Sequence, residues 1–441
     1  MSYRELDGDY EGDELQMLRD EVHRFAAEEI RPAARELDAM PHDEYVEVVG
    51  SGDSPFRDVM RGLKRDLGAH RAVVPEPFGG GGMTGREFHV LMEELAWGSS
   101  GLAIGFGVDI LPPLFAAMTF DQEVREQYVE PYMEDTDAAY QGCWGVTEPS
   151  HGSEHVQADT LLRDGVEGAG EGGGEIGPSE CTAEKEGDEW VIDGAKASWV
   201  TAAPLATHCA LHVNMDPQGG DPGGLAFVPL DRDGVTRGPP IDKLGQRDAP
   251  QGELVFDEVR IPDEYMVMTP AMLHPDTGMV PFTQVLCLTS AGMSAVATGI
   301  ARAAFEEALA YAREREQGGK PIWRHQNVKK KLYDMFEKVE TARAYSRRVC
   351  EHVWDRNLES FEFDASHRHA VAGQVYCKRI AFEVAHEALQ IHGANGITKD
   401  YLVEKLFRDA RVKLIEDGTV EVLGLESAHG VVENYELSDR R

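Results

Sequence analysis

Three long stretches in the C-terminal third limit the fold more than any other feature: Ala291 to Arg315, Asn327 to Trp354 and His367 to His392. In each, most apolar residues recur three and four positions apart, the spacing of one helix face. Each is long enough to cross a bundle, and such helices gain most of their stability by packing that face on neighbours. The N-terminal stretch has the same character. From Asp13 to Met40, Leu15, Leu18, Val22, Phe25, Ala26, Ile30 and Ala33 keep close to a helical period, and a second run covers Thr84 to Ala96. Between these regions, from about Gln141 to Met268, short β-rich runs appear at 189–192, 198–201, 210–213, 224–228 and 253–256. Gly, Pro and Asp turns separate them. The order α, β, α predicts an N-terminal helical domain over 1–138, a middle β-domain, barrel or sandwich, over 139–272, and a C-terminal helical bundle over 273–441. A Gly- and Glu-rich segment, 163–179, reads as a solvated surface insertion in the middle domain.

The chain has 441 residues, of which 42% are hydrophobic, enough for a globular core. Asp and Glu number 79 against 43 Lys and Arg, a formal charge of −36. Repulsion on that scale destabilises a compact state unless salt screens it. An acidic surface adapted to a salt-rich, halophile-like cytoplasm is the expectation. The charge argues against a nucleic-acid partner. No run approaches the length of a membrane helix, and the acidic N-terminus does not read as a targeting peptide. We therefore expect a cytoplasmic protein with no membrane insertion. The six cysteines are scattered without a C-x-x-C pair, so free, buried thiols are expected.

Several apparent motifs carry little. Gly80-Gly81-Gly82-Met83-Thr84-Gly85 matches G-x-G-x-x-G, but Pro75 and Pro77 break the lead-in and no β/α alternation follows. A Gly-rich turn into a helix capped by Thr84 is the better reading. Gly319-Lys320 lacks the Ser or Thr of a phosphate loop. His367 and His369, two apart on a helix, diverge and do not make a metal site. The segment Trp144-Gly145-Val146-Thr147-Glu148-Pro149-Ser150-His151-Gly152-Ser153-Glu154 differs. Its amides, hydroxyls and glycines can donate to a polar ring edge and to a pyrophosphate without strong positive charge.

That segment resembles the aromatic-x-x-T-E-P-x-x-G-S-D signature of the acyl-CoA dehydrogenase family. Five further elements follow in the family's order: Asp193 to Thr201, Lys243 to Arg247, Phe256 to Pro262, Ala310 to Gln326 and Gln390 to Gly396. A last one, Leu414-Ile415-Glu416-Asp417-Gly418-Thr419, follows Tyr401 to Ala410. The resemblance spans almost the whole chain. It implies an α-helical N-terminal domain, a middle β-barrel domain and a C-terminal four-helix bundle. It implies FAD as cofactor, an acyl-CoA substrate, an electron-transfer flavoprotein as partner, and a homotetramer or dimer. By the same carry-over, Trp144, Val146, Thr147, Gly152 and Ser153 would contact the flavin and its pyrophosphate, Ser153 also lying near substrate. Trp199, Val200 and Thr201 would cover the ring. Arg315, Gln317, Gln326, Gln390, Gly393 and Ala394 would hold the adenine half, often from a neighbouring subunit, and Thr419 and Glu421 would approach FAD.

The chemistry needs a carboxylate to remove the α-proton and an acceptor for the β-hydride. The family usually places glutamate just before Gly-Thr; here that residue is Asp417. Aspartate is one methylene shorter, and a shift of about 1 Å can cost roughly 100-fold in rate. Glu416 is the alternative base, though on a helix it would point about 100° away. Leu286 to Ser290, where some branches carry the base, holds no carboxylate; the arginine common there is absent, and Gly318 stands where phenylalanine is frequent. Aspartate at the base position also fits a flavin oxidase of nitroalkane-oxidase type, and a non-catalytic flavin- or CoA-binding relative is a third reading.

Overall fold

The computed structural model describes residues 12–118, 122–153, 179–215, 224–269, 282–359 and 366–435. Most of the Gly- and Glu-rich insertion, Glu154 of the signature segment and the boundary expected at 272/273 lie outside the described residues.

The N-terminal region is helical: α1 (Asp13–Phe25), α2 (Arg31–Ala39), α3 (His42–Ser51), α4 (Pro55–Arg65), α5 (Ala69–Val73), α6 (Gly85–Gly98), α7 (Ser100–Asp109), α8 (Leu111–Met118), α9 (Gln122–Val124) and α10 (Glu130–Glu134). The run expected from Asp13 to Met40 is continuous apart from a π-helical turn at Ala26–Ile30. Its buried face includes Val22, Phe25, Ala26, Ile30, Ala34 and Leu37. The extra residue of a π turn rotates the face, so Ala34 is fully buried and Ala33 packs at the core's edge. The Gly-rich turn reads as expected. A Cβ on Gly80 would sit 2.0 Å from the Val74 carbonyl oxygen. Thr84 and Glu87 then form a reciprocal capping box at the start of α6.

One expectation fails. Ser100–Ala117 is an 18-residue apolar stretch of membrane-spanning length, and 83% of it is buried inside the protein. It breaks at Ile110 into α7 and α8. Both helices are lined with core residues such as Leu102, Phe106, Leu114 and Phe115. An apolar stretch all round marks a helix enclosed on every side.

The middle region forms two four-stranded sheets. One has the order β1 (Gly142–Gly145), β4 (His208–Val213), β5 (Gly224–Pro229), β8 (Met266–Met268). The other has the order β2 (Thr182–Glu186), β3 (Glu189–Thr201), β7 (Gln251–Pro262), β6 (Val235–Arg237). A bridge between Thr182 and Asn214 joins them, and they close on one core containing Ile192, Leu211, Val228, Leu254 and Phe256. The expected barrel takes this two-sheet form. The runs at 189–192 and 198–201 are a single strand, β3, whose pairing with β7 shifts register near Gly194 and again between Lys196 and Val200. Bulges of this kind bend a long strand and re-aim its end. Here that end carries Trp199 to Thr201.

The C-terminal region contains α11 (Phe282–Glu314), α12 (Gln326–Glu359), α13 (Ser366–His392), α14 (Leu402–Lys413) and α15 (Val420–Asn434). A hairpin of β9 (Glu316–Gln317) and β10 (Lys320–Pro321) joins α11 to α12. Helices α11 to α14 pack together, and α15 lies on α13. One continuous core runs through both helical regions, with α6 packed on α11 and α12. Buried charges cross this junction. Arg302 on α11 reaches Glu93 (3.1 Å) and Glu94 (2.8 Å) on α6, and Arg343 on α12 reaches Glu93 at 3.0 Å. All six cysteines are free and buried.

Candidate active site

A cavity of about 860 Å³ opens where the three regions meet. Much of its wall is apolar. Phe88 and Met92 of α6, Ile104 and Val108 of α7, and Leu288, Met293 and Val296 of α11 line it. Phe88 stacks on Trp354 at 3.9 Å between ring centroids. The opposite part is polar and comes from the loop after β1, the end of β3 and the turn after α14.

The loop from Val146 to Ser153 is held from beneath. Glu148 and His151 exchange backbone hydrogen bonds of 3.0 and 3.2 Å, which folds the segment back on itself. The Glu148 carboxylate, fully buried, pairs with the Lys196 ammonium at 2.6 Å and accepts from the Glu180 amide at 2.6 Å. Burial alone raises this carboxyl, but Lys196 outweighs it and holds Glu148 down at about 2. The charged residues of two separate motifs thus form one joint, fixing the loop against β3. Sequence reasoning missed this role. The signal was present in a glutamate and a lysine that no proposed binding function used.

A second joint explains the Lys243 to Arg247 motif. A Cβ on Gly245 would approach the Arg408 backbone to 2.5 Å, so only glycine permits this contact with α14. The Gln246 amide donates to Asp409 at 2.5 Å, and the Gln246 side chain donates to Glu416 at 2.9 Å. Arg247 donates to the carbonyls of Asp38 and Met40, tying in α2.

The turn after α14 carries both candidate bases, and both line the cavity. The helical geometry considered for Glu416 does not occur. Residues 414–418 form a turn in which Asp417 has φ 51° and Gly418 has φ 83°. The left-handed conformation, uncommon for a non-glycine residue, places neighbouring side chains differently from a helix, so the two carboxylates differ by their partners instead. Glu416 is occupied: Lys413 pairs with it at 2.8 Å and Gln246 donates to it. Burial raises Glu416, but Lys413 and Gln246 outweigh it, leaving the carboxyl below its ordinary range. Among the described residues Asp417 makes no ion pair. It accepts one hydrogen bond at Oδ2, from Gln374 Nε2 at 2.9 Å. Burial raises its pKa, and Lys378 and Lys413 offset this only in part. Asp417 is the freer of the two, and the one whose carboxyl is raised rather than lowered. The partners of this turn, Gln246, Gln374, Lys378 and Lys413, were all missed from sequence, because they come from the middle region, α13 and α14, and no local pattern says that these surfaces meet.

Of the residues expected around the flavin, Trp144, Val146, Thr147, Gly152, Ser153, Trp199, Val200 and Thr201 all line the cavity. The Ser153 hydroxyl accepts from the Thr419 amide at 3.1 Å, joining the loop to the start of α15. Thr419 caps that helix, and Glu421 lies in its first turn. Arg315, Gln317, Gln326, Gln390, Gly393 and Ala394 do not line the cavity. They lie exposed at one end of the bundle, where Tyr311 stacks on His392 at 4.1 Å and accepts from Asn395 at 3.0 Å. The cavity fits an isoalloxazine. Trp199, an indole 61% exposed on its wall, offers a flat apolar face. The adjoining loop offers amides and hydroxyls for a polar ring edge. Among the described residues no cluster of His, Cys, Asp or Glu is arranged to hold a metal.

A helical–sheet–helical frame thus surrounds a cavity with a buried, raised carboxyl on its wall. Three family models match in order: acyl-CoA dehydrogenase N-terminal domain over 12–135, middle domain over 143–259 and C-terminal domain over 276–431. The chain belongs to the acyl-CoA dehydrogenase family, whose members depend on FAD. It is 29% identical over 416 residues to a probable acyl-CoA dehydrogenase of Bacillus subtilis, YngJ, covering 93% of this chain and 95% of that protein. It is 28% identical over 439 residues to the mitochondrial short-chain specific acyl-CoA dehydrogenase of Rattus norvegicus, covering 98% and 94%. The solved butyryl-CoA dehydrogenase of Megasphaera elsdenii superposes with a TM-score of 0.76 at 23% identity, covering 96% of this chain and 99% of the other.

Proposed function

We propose that this enzyme desaturates an acyl-CoA between Cα and Cβ, with Asp417 as the base. The observation that carries the reading is a single carboxylate, free of ion pairs among the described residues and raised by burial, on the wall of a cavity lined largely by apolar side chains. Phe88, Met92, Val108, Leu288 and Val296 exclude water and bring no charge, which suits an uncharged acyl chain. Asp417, ionised, takes the α-proton; its raised pKa makes it a stronger base than an ordinary aspartate. FAD, when bound, supplies the acceptor for the β-hydride. Trp199, Thr201, Thr147 and Ser153 would hold its ring portion. The exposed set from Arg315 to Ala394 would serve the adenine half held by a neighbouring copy in a homotetramer or dimer. Electrons would leave to an electron-transfer flavoprotein.

The test is anaerobic flavin bleaching by straight, branched and cyclic acyl-CoAs, with Asp417→Ala beside the parent protein. Bleaching by one class, lost in the variant, is the expected result. Flavin-loaded protein that no thioester bleaches, but that makes peroxide from a nitroalkane, would instead establish the oxidase reading.

A further inference from the structure

Beneath the turn that carries Asp417 lies a buried lysine that the chemistry above does not use. Lys378 is on α13 and has no exposed surface. Its ammonium donates to the Glu416 carbonyl at 2.6 Å and to the Gly418 carbonyl at 3.1 Å. These are the residues on either side of Asp417. One cation thus spans the peptide units flanking a residue held at φ 51°. Gln374, one helical turn earlier on α13, donates to the Asp417 carbonyl at 3.2 Å and to its carboxylate at 2.9 Å. A left-handed non-glycine residue carries a conformational cost and persists only where its surroundings over-determine it. Here the surroundings are two adjacent turns of one helix.

We propose that Lys378 is a positioning residue, and that its bridge between the carbonyls of Glu416 and Gly418 holds Asp417 left-handed with its carboxylate on the cavity wall. The proposal rests on the assignment of Asp417 as base. It accounts for how the shorter acid serves: the backbone, rather than an extra methylene, sets its place. A charge at this point also bears on the titration of Asp417. The charged groups acting on that carboxylate are Lys378 from α13, Lys413 from α14 and the adjacent Glu416. Glu416 is itself paired with Lys413, which leaves Lys378 as the cation without a carboxylate of its own among the described residues. Burial holds Lys378 down at about 7 against the upward pull of Asp417.

The experiment is stopped-flow flavin reduction across pH in the FAD-loaded enzyme, using the acyl-CoA that bleaches the parent fastest. The variants are Lys378→Met, Lys378→Gln and Lys378→Arg. Removing the cation should lower the limiting rate about 100-fold, the scale of a base displaced by about 1 Å. Substrate affinity should change little. The acid limb of the pH–rate profile should move up by about one unit, since an opposite charge no longer favours the carboxylate. Lys378→Arg should recover much of the rate and the original limb. If Lys378→Met does not fold, Lys378→Gln, which keeps an amide donor and loses the charge, gives the same readout. A parental rate and pH limb in the neutral variants would overturn the proposal, as would a loss of thermal stability with the rate per bound flavin intact. Failure of every acyl-CoA to reduce the parent enzyme would instead overturn the dehydrogenase reading, and this proposal with it.

Discussion

Two of the buried charge clusters among the described residues are built to opposite ends. At the junction of α6 with α11 and α12, each acid has an arginine. Glu93 faces Arg302 and Arg343, and Glu94 faces Arg302 and accepts from His23 at 2.8 Å. Burial raises both acids, but the arginines outweigh it and hold both carboxyls well below the ordinary range. At the turn after α14 the pairing is incomplete. Lys413 takes Glu416, Lys378 takes backbone carbonyls, and Asp417 is left with an amide. Its carboxyl is raised instead. In this pair of clusters the carboxylates with arginine partners tie helices together, and the one without an ion pair is the carboxylate we propose as base.

The sharpest way to break this comparison is Asp417→Asn. The amide keeps the shape and loses the base, so flavin reduction by acyl-CoA should fall about 1,000-fold, with FAD content retained. A variant reduced at the parental rate would remove Asp417 from the chemistry. The counterpart in the other cluster is Arg302→Met. It takes the arginine from Glu94 and one of two arginines from Glu93, which should cost about 3–5 kcal/mol in unfolding free energy measured by urea titration. The rate per folded, flavin-loaded molecule should hardly change. If Arg302→Met instead left stability intact and altered the rate, the division of labour between the clusters would be wrong.

Much of this was legible in the sequence, for identifiable reasons. The long helices declare themselves through periodic apolar faces, and Thr84 with Glu87 states its cap directly. The cavity walls from Trp144 to Ser153 and from Trp199 to Thr201 follow from motifs whose residues are close in sequence. The supporting residues were not legible. Gln246, Gln374 and Lys378 reach the Asp417 turn from the middle region and from α13, and no local pattern says that these surfaces meet. The conformation of Asp417 was also hidden. A left-handed aspartate before glycine follows from hydrogen bonds made by a helix about forty residues earlier, so helical reasoning about Glu416 was misplaced. Ser100–Ala117 is a different case: its apolar length is plain in the sequence, and only its burial depends on the fold.

The two clusters should also respond to acid in opposite senses. A carboxyl held below its unfolded value adds stability above that value and loses it as pH falls. For Glu94 the window runs from its ordinary value near 4.5 down to about 2. Integrated over that window, the loss is roughly 3 kcal/mol. Denaturant titrations between these limits should show it, and Glu94→Gln, already destabilised near neutral pH, should show a flatter acid response. Asp417 runs the other way. Its folded value lies above the ordinary 3.8, so folding favours its neutral form, while catalysis needs the charged one. Rate should therefore rise with pH above 3.8, through the folded value. An acid limb below that value would mean that the cations win over burial at the turn.

The smallest expected effect is the most discriminating for the turn itself. Glu416 lies one residue from Asp417, lines the same cavity and carries the longer side chain that the family usually employs. Were reach alone decisive, it would be the base. Glu416→Gln keeps a polar acceptor for Gln246 and Lys413 but removes the charge that Lys413 neutralises. The change should alter flavin reduction by no more than several-fold, about 1 kcal/mol or less. It should move the Asp417 acid limb downward, because a like charge beside that carboxylate disappears. A loss as deep as that of Asp417→Asn would transfer the role of base to Glu416. It would also mean that an ion pair with Lys413 does not disqualify a carboxylate from proton transfer, the premise on which the contrast between the two clusters stands.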